Sequence, residues 1–349
     1  MISEGIQSTP FSPWADDYGI NTFFLVCTIL MLFVGTVGNI LVIGSVFVHK
    51  KLRNLGNIFI ANLATADLCV SAFINSFGIV GLITKGWYFY YHSALCTAIG
   101  VICITSCSCS MWSIASISVN RYICICHRFF YPSVYNKKTV IFMIAGLWTT
   151  CFLIDLPNLL GWGDHGFDPK IMLCTYDYTK AYSYTFFFIV TGFGIPLAAI
   201  TFSYTNILKF AMATKRELRN ITNKDDDKKT RVIDSSDLRL LKSILTILVV
   251  FLIMWSPYAI IVVFDKNATW SRGVYVVAVI LAHLNSSINS ILYAATNKNF
   301  REGYWHLLSM FFCSCCRICR TRQTGDYKSK SDSLATIETS VSNVALNQR

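Results

Sequence analysis

The chain has 349 residues, 54% hydrophobic and only 14% charged, whereas a soluble domain is nearer one quarter charged. Its mean hydropathy is +0.50 and its apolar residues are gathered in long runs, which excludes an ordinary soluble protein. The net charge of +11 would suggest a nucleic-acid partner in a soluble chain, but the positions of the charges assign it a different role.

Residues 1–20 are polar and acidic, without the basic start and short apolar core of a cleavable signal peptide. The first apolar run is therefore expected to act as a retained anchor. Crossing the hydrocarbon core takes about 20 apolar residues in a helix. Seven runs qualify, at roughly 20–48, 56–83, 93–127, 139–161, 181–212, 239–264 and 273–294. Helices are required, because an isolated strand leaves its backbone unsatisfied in lipid. Pro157, Pro196 and Pro257 fall inside runs and are read as kinks that neighbouring helices tolerate.

With the N-terminus outside, 25 of the 30 basic residues fall on the cytoplasmic side, a strong positive-inside bias. The positive balance then serves topology and anionic lipid headgroups, not nucleic acid. The sequon at Asn267 lies outside on this topology, while a glycan on the Asn220 sequon would overturn it. Cys96 and Cys174 are the two cysteines placed at the outer face among loops. That compartment is oxidising, which favours a bridge tethering loop 161–180 over the helices; the alternative is two free thiols.

Arg121 closes the third run, in SVNRYICICH at 118–127. One reading is a snorkelling arginine that sets topology. The other is a switch group held at the cytoplasmic mouth and released when the bundle opens. Asn39, Asp67, Ser110, Asn285 and Asn289 are polar residues inside four different runs. A lone Asp67 costs roughly 3 kcal/mol on insertion scales, so it must meet partners or water. Oxygens around one carboxylate can hold a sodium ion, or form a hydrogen-bond network without one. Trp255 and Pro257 in FLIMWSPY, and Tyr293 in NSILY, supply hinge and packing elements for a two-state bundle.

Residues 213–238, with the run DDDKK at 225–229, read as a solvated, flexible linker. Phe300, Tyr304, Leu307, Leu308 and Phe311 recur at helical spacing within 297–312, which predicts an amphipathic helix on the cytoplasmic face. Cys313, Cys315, Cys316 and Cys319 follow; juxtamembrane position favours palmitoylation over zinc. The tail beyond is rich in Ser, Thr and Lys, is expected to be disordered, and offers Ser329, Ser331, Ser333, Thr336, Thr339, Ser340 and Ser342 to phosphate. GxSxG, HExxH and phosphate-loop motifs are absent, and the six histidines are scattered, so no enzyme is expected. Paired helix breaks of the transporter kind are absent as well.

The expected fold is thus an all-α membrane protein: a seven-transmembrane helix bundle with an amphipathic eighth helix. It divides into an extracellular N-terminus (1–19), the bundle (20–297), the interfacial helix (298–312) and a cytoplasmic tail (313–349).

The ordered motifs Gly38-Asn39, LATAD ending at Asp67, Cys96, NRY at Asn120, Arg121 and Tyr122, Trp148, Cys174, Pro196, Tyr204, FxxxWxP from Phe251 and NSxxY from Asn289 to Tyr293 resemble the rhodopsin-like (class A) G-protein-coupled receptors over roughly 20–312. KKLRNLGNIF at 50–59, NRYICICH at 120–127, LPNL at 156–159, FDPKIMLCTY at 167–176 and LNSSINSILYAATNKNFREGY at 284–304 narrow the resemblance to melatonin receptors. It implies a ligand pocket containing Asn158 and Tyr176, one hydrogen bonding and the other stacking on an aromatic ligand. The chain departs from that family at Gly192, where it usually has histidine, and at Tyr178, where its loop has glutamine. Asp155 adds a carboxylate that either pairs a cationic ligand group or faces water. Cys103 replaces the aspartate of amine receptors and His283 the retinal lysine of opsins, so those ligands are not expected. Trp255 completes the expected pocket.

The resemblance further implies a plasma-membrane receptor for a small extracellular ligand, a melatonin-like indole among the candidates. It would signal to a heterotrimeric G protein of the inhibitory class and bind arrestin through a phosphorylated tail. Arg121 would dock the G protein, with Asn120, Tyr122, Tyr204, Asn289 and Tyr293 in the switch. Asp67, Ser110, Asn285 and Asn289 would form a sodium site. No cofactor is expected beyond that ion. The other readings are a receptor of the same fold for a different small molecule, lipid or peptide, and a transporter.

Overall fold

A computed structural model describes residues 16–221 and 235–315. Seven long helices follow one another: α1 Tyr18–Val48, α2 Leu55–Ile83, α3 Ser93–Cys126, α4 Lys137–Trp162 and α5 Tyr182–Thr214, then α6 Ser235–Phe264 and α7 Arg272–Thr296. All but α6 are long and apolar enough over their described residues to cross a membrane, and α6 carries the apolar stretch Leu248–Phe264. The seven expected spans are therefore present, each within a few residues of its expected limits.

Local chemistry sets several starts. The Asp17 side chain accepts from Ile20 N at the head of α1, and Asn54 accepts from Asn57 N at the head of α2. Asn136 and Thr139 exchange side-chain and backbone bonds at 3.0 Å to open α4. Such caps satisfy amides that have no partner in a helix's first turn. Three spans widen into π turns, at Cys69–Ile74, Asn158–Trp162 and Ile189–Gly194. Two of these adjoin Pro157 and Pro196, where a missing N–H already interrupts the ladder.

The spans bury small and polar side chains inward and leave large apolar ones on the rim. Phe33, Phe142, Phe186 and Ile253 are exposed, as expected of surfaces meeting lipid. α3 is the central post, packed against α2, α4 and α5 and against a two-stranded hairpin. That hairpin, β1 His165–Asp168 with β2 Leu173–Tyr176, is antiparallel, with Phe167 opposite Cys174. The expected Cys96–Cys174 bridge is formed, joining residues 78 apart and fastening β2 to the head of α3. Gly81 of α2 lets the hairpin backbone come close: a Cβ there would lie 2.2 Å from the carbonyl oxygen of Met172.

At the opposite end, α8 Lys298–Cys315 leaves α7 after Asn297. Phe300 of α8 is fully buried and stacks on Tyr293, 5.0 Å between ring centres. Glu302 reaches Lys51 at 3.0 Å. Two expectations change. The linker expected over 213–238 is partly helical, since the α5 helix continues to Ile221 and α6 opens at Ser235; its residues are polar but include good helix formers such as Lys, Arg, Glu and Leu. The eighth helix runs to Cys315, so Cys313 and Cys315 belong to it. Residues 222–234, Cys316, Cys319 and the serine-rich tail lie outside the described residues.

Candidate functional site

The expected residues fall into three groups along the bundle. In its middle, the buried carboxylate of Asp67 accepts from Ser110 Oγ at 3.0 Å and from Asn289 Nδ2 at 2.8 Å. Ser286, which the sequence reading missed although it lies next to Asn285, is buried on the same helix. Nearby, Asn39 Nδ2 donates to the Ser286 carbonyl at 2.9 Å, tying α1 to α7. The Oδ1 atoms of Asn285 and Asn289 are buried and have no hydrogen-bond partner. The structure thus joins Asp67, Ser110 and Asn289, with Asn285 one turn away on α7.

At the α8 end, Arg121 is buried, and its Nε and Nη2 have no hydrogen-bond partner. Gly56 of α2 provides the space: a Cβ there would stand 2.5 Å from Nη2. The neighbouring Asn120 donates through Nδ2 to the Tyr131 hydroxyl at 3.3 Å. Tyr122 is half-buried against Phe202 and bonded to His127 at 2.9 Å. Tyr204 and Tyr293 are buried in one apolar cluster with Met111 and Phe251.

At the hairpin end lies a small cavity. Cys103, Ile104 and Cys107 of α3 form one wall, Tyr176 and its hairpin neighbours the roof. Phe188 of α5, Trp255 and Tyr258 of α6, and Ala282 and His283 of α7 complete it. Its apolar, aromatic lining with few polar groups suits the ring of a flat apolar molecule. Of the expected ligand residues, Cys103, Tyr176, Trp255 and His283 line it. Trp255 forms its deeper wall and stacks on Phe251 at 5.8 Å. The sequence reading missed Phe188, Tyr258 and Cys107; helical spacing from Cys103 to Cys107 was the available signal.

Four expected residues lie outside this cavity wall. Gly192 faces Phe188 of its own helix, whose ring would meet a Cβ at 3.4 Å. Asp155 is fully buried, which corrects the reading that it faces water. Its Oδ1 is 3.1 Å from His165 Nε2 and accepts from the Tyr184 hydroxyl at 3.2 Å. Asn158 joins the same cluster, donating to the Asp164 carbonyl at 3.2 Å and lying 3.1 Å from His165 Nδ1. A buried carboxylate persists when it is paired and hydrogen bonded, so these groups anchor the hairpin to α4 and α5. Tyr178 belongs to a cap over the bundle. Its hydroxyl lies 2.8 Å from that of Tyr275, which donates to Asp265 Oδ2 at 2.5 Å.

Asp265 also accepts from the backbone of Thr269 and Trp270, both at 2.7 Å. Lys170 of the hairpin donates to the carbonyls of Ala268 and Trp270. Arg272 donates to the Lys170 carbonyl at 2.9 Å and pairs with Asp17 at 3.1 Å. The hairpin, the α6–α7 turn and the start of α1 are thereby one bonded unit above the cavity.

Residues 38–293 match the family described as 7 transmembrane receptor (rhodopsin family). The chain belongs to the rhodopsin family of seven-transmembrane receptors. Within it, this receptor is similar to melatonin receptor type 1B-B of Danio rerio, 32% identical over 79% of this chain and 78% of the relative. It is also similar to melatonin receptor type 1A of Phodopus sungorus, at 30% over 87% and 84%. Its backbone resembles the crystal structure of squid rhodopsin with a TM-score of 0.72 and 24% identity, covering 88% and 89% of the two chains. The receptor is accordingly a multi-pass membrane protein and not an enzyme.

The cap gives a pH prediction. Burial pushes the Asp265 carboxyl up, but bonds from Tyr275, Thr269 and Trp270 outweigh it and hold it well below the usual carboxylate range. A depressed folded value stabilises above the unfolded value near 3.9 and is lost as pH falls through the folded one. Thermal unfolding of purified receptor should therefore show the same loss for Asp265→Asn, a few degrees, at pH 7.4 and at pH 5. A deficit that vanishes by pH 5 would contradict the assignment.

Proposed function

We propose that this receptor sits in the plasma membrane with its N-terminus outside. On this reading it binds a small, flat, largely apolar ligand in the cavity beneath the hairpin, and signals to a heterotrimeric G protein of the inhibitory class at the Arg121 end. One observation carries the reading. Trp255 lines the cavity and stacks on Phe251, and Phe251 is packed in the same buried cluster as Tyr204 and Tyr293. A ligand that favours one packing of Trp255 thus biases a contiguous set of rings that ends beside Arg121, shifting an equilibrium that already exists. Basic residues concentrated at the Arg121 end support that end as cytoplasmic. Tail phosphorylation with arrestin binding, and acylation of the cysteine cluster, are part of the same proposal.

The relatives are named for melatonin, so melatonin and indole analogues lead a panel read by cyclic AMP in cells expressing the receptor. The expected result is a saturable fall in forskolin-raised cyclic AMP, with Tyr176→Ala shifting the response to at least tenfold higher concentration. A rise in cyclic AMP would reject the inhibitory class. No response from surface-expressed receptor to any indole would reject the ligand class.

Arg121 has Asn120 beside it where an acid would form an ion pair. Asn120→Asp adds that restraint on the resting arrangement, and each kcal/mol gained is worth about fivefold in a two-state ratio. Ligand-free signalling should therefore fall severalfold in Asn120→Asp; equal or higher basal signalling at matched surface level would count against Arg121 as the restrained switch.

The Asp67 site suits a sodium ion, because the unpartnered Oδ1 atoms of Asn285 and Asn289 add acceptors to the carboxylate and the Ser110 hydroxyl. A hard cation takes such oxygens, and here it would neutralise Asp67. Replacing choline chloride with sodium chloride should raise the thermal midpoint of purified receptor and leave Asp67→Asn unmoved. Equal response of both proteins would remove the ion from the account.

A further inference from the structure

A second void, of about 230 Å³, lies in the seam between α5 and α6. Phe193 and Leu197 of α5 border it on one side, and Leu252, Ser256 and Ala259 of α6 on the other. It reaches Met111 of α3. The lining changes in exposure along the way. Leu252 is 38% exposed, on the rim of the bundle, whereas Met111 is 1% exposed. The void is therefore a groove that runs from the lipid-facing rim to the central post.

Local backbone keeps the seam open. α5 widens into a π turn at Ile189–Gly194 and meets Pro196 two residues later, and α6 carries Pro257. Phe193 touches Trp255, 5.4 Å between ring centres, so the two irregular stretches face each other. Breaks of this kind bend a helix away from a straight packing line. Gly194 adds no side chain to close the gap: a Cβ there would meet nothing nearer than the Ile189 carbonyl oxygen at 3.7 Å.

Depth and size decide what enters. Trp255, which lines the groove, lies ten residues inward from Asp265 of the cap. That is about 15 Å along a helix, half of the roughly 30 Å hydrocarbon core, where acyl chains are the surrounding medium. Pockets for a whole drug-sized ligand hold roughly 300–1,000 Å³, so this groove suits part of one chain. Its serine hydroxyl is already spent, since Ser256 Oγ donates to the Ile253 carbonyl of its own helix at 3.0 Å. An unfilled apolar groove forfeits dispersion contacts along its lining, and a chain entering sideways from the bilayer restores them.

We propose that the α5–α6 seam is a binding site for one acyl chain of a bilayer phospholipid in the leaflet on the hairpin side, with the chain passing between the helices to Met111. Trp255 and Phe251 line the groove and stack on each other, and Trp255 also borders the ligand cavity. The chain thus packs against the rings that join that cavity to the Arg121 end. Occupancy is read on purified receptor without any signalling, so it stands or falls apart from the ligand and G-protein reading.

The test places full-length receptor in nanodiscs of a phosphatidylcholine that carries a photoactivatable diazirine midway along one acyl chain, and maps the adducts by peptide mass spectrometry. Phe33 of α1, 63% exposed, reports ordinary lipid contact, and Ile60 of α2, with no exposed surface, reports background. The expected result is an adduct on Met111 severalfold above any on Ile60, alongside one on Phe33. Ala259→Phe, which fills the exposed mouth of the groove, should remove most of the Met111 adduct and leave Phe33 unchanged. Leu252→Trp should do the same and decides the matter if Ala259→Phe is recovered unfolded. Met111 labelled no more than Ile60, or labelled equally in the folded variant, would overturn the proposal. Selective loss of the Met111 adduct on adding unlabelled oleic acid would assign the groove to a free fatty acid and overturn the phospholipid.

Discussion

The fold depends on keeping one carboxylate bonded in the middle of a lipid-facing bundle. Asp67 cannot be left bare in hydrocarbon. It is served by Ser110 and Asn289, which fixes the mutual rotation of α2, α3 and α7. Once those three faces are turned inward, Asn39 is brought to the backbone of α7. On the other side of the same spans, Asn62 is brought to Trp148 of α4, 2.9 Å from its indole nitrogen. Polar bonding specifies rotation here because lipid gives helices no hydrophobic reason to prefer one face over another.

The two ends of the bundle are held differently. Above the cavity, a disulfide, two buried polar clusters and the Asp265 cap join loops to helices. A chain segment that must lie over the bundle, with backbone groups of its own to satisfy, needs such bonds. At the other end Arg121 is packed over Gly56 with donors to spare. An unsatisfied buried guanidinium raises the energy of the arrangement that contains it. It is therefore at this end that a change in packing gains most by bringing new acceptors within reach.

How much of this was legible in the sequence follows the range of the interactions. The spans, the eighth helix and the bridge were legible because hydropathy and compartment are local properties. The Asp67 cluster was legible in outline, since a charge in an apolar run demands partners and few polar residues were available. Asp155 was not. Its partners His165 and Tyr184 come from a hairpin strand and a different helix, and nothing at 155 signals which loop folds back onto it. Asn158 and Tyr178 were placed by resemblance, yet here they are bonded within the hairpin anchor and the cap. The helical continuation of α5 to Ile221 was hidden because polarity reads as linker, although the residues concerned favour helix when a long helix already feeds them.

The contrast between bonded and unbonded contacts also sets which helix can move. The α2, α3 and α7 spans share directional bonds that are lost at once when displaced. Trp255 of α6 meets α5 through the ring of Phe193. Within α6 it lies against Phe251 and Tyr258, and its indole nitrogen has no hydrogen-bond partner. Ring contacts of this kind can slide with small losses at each atom pair, while Asp265 pins the hairpin end of the same helix to α7.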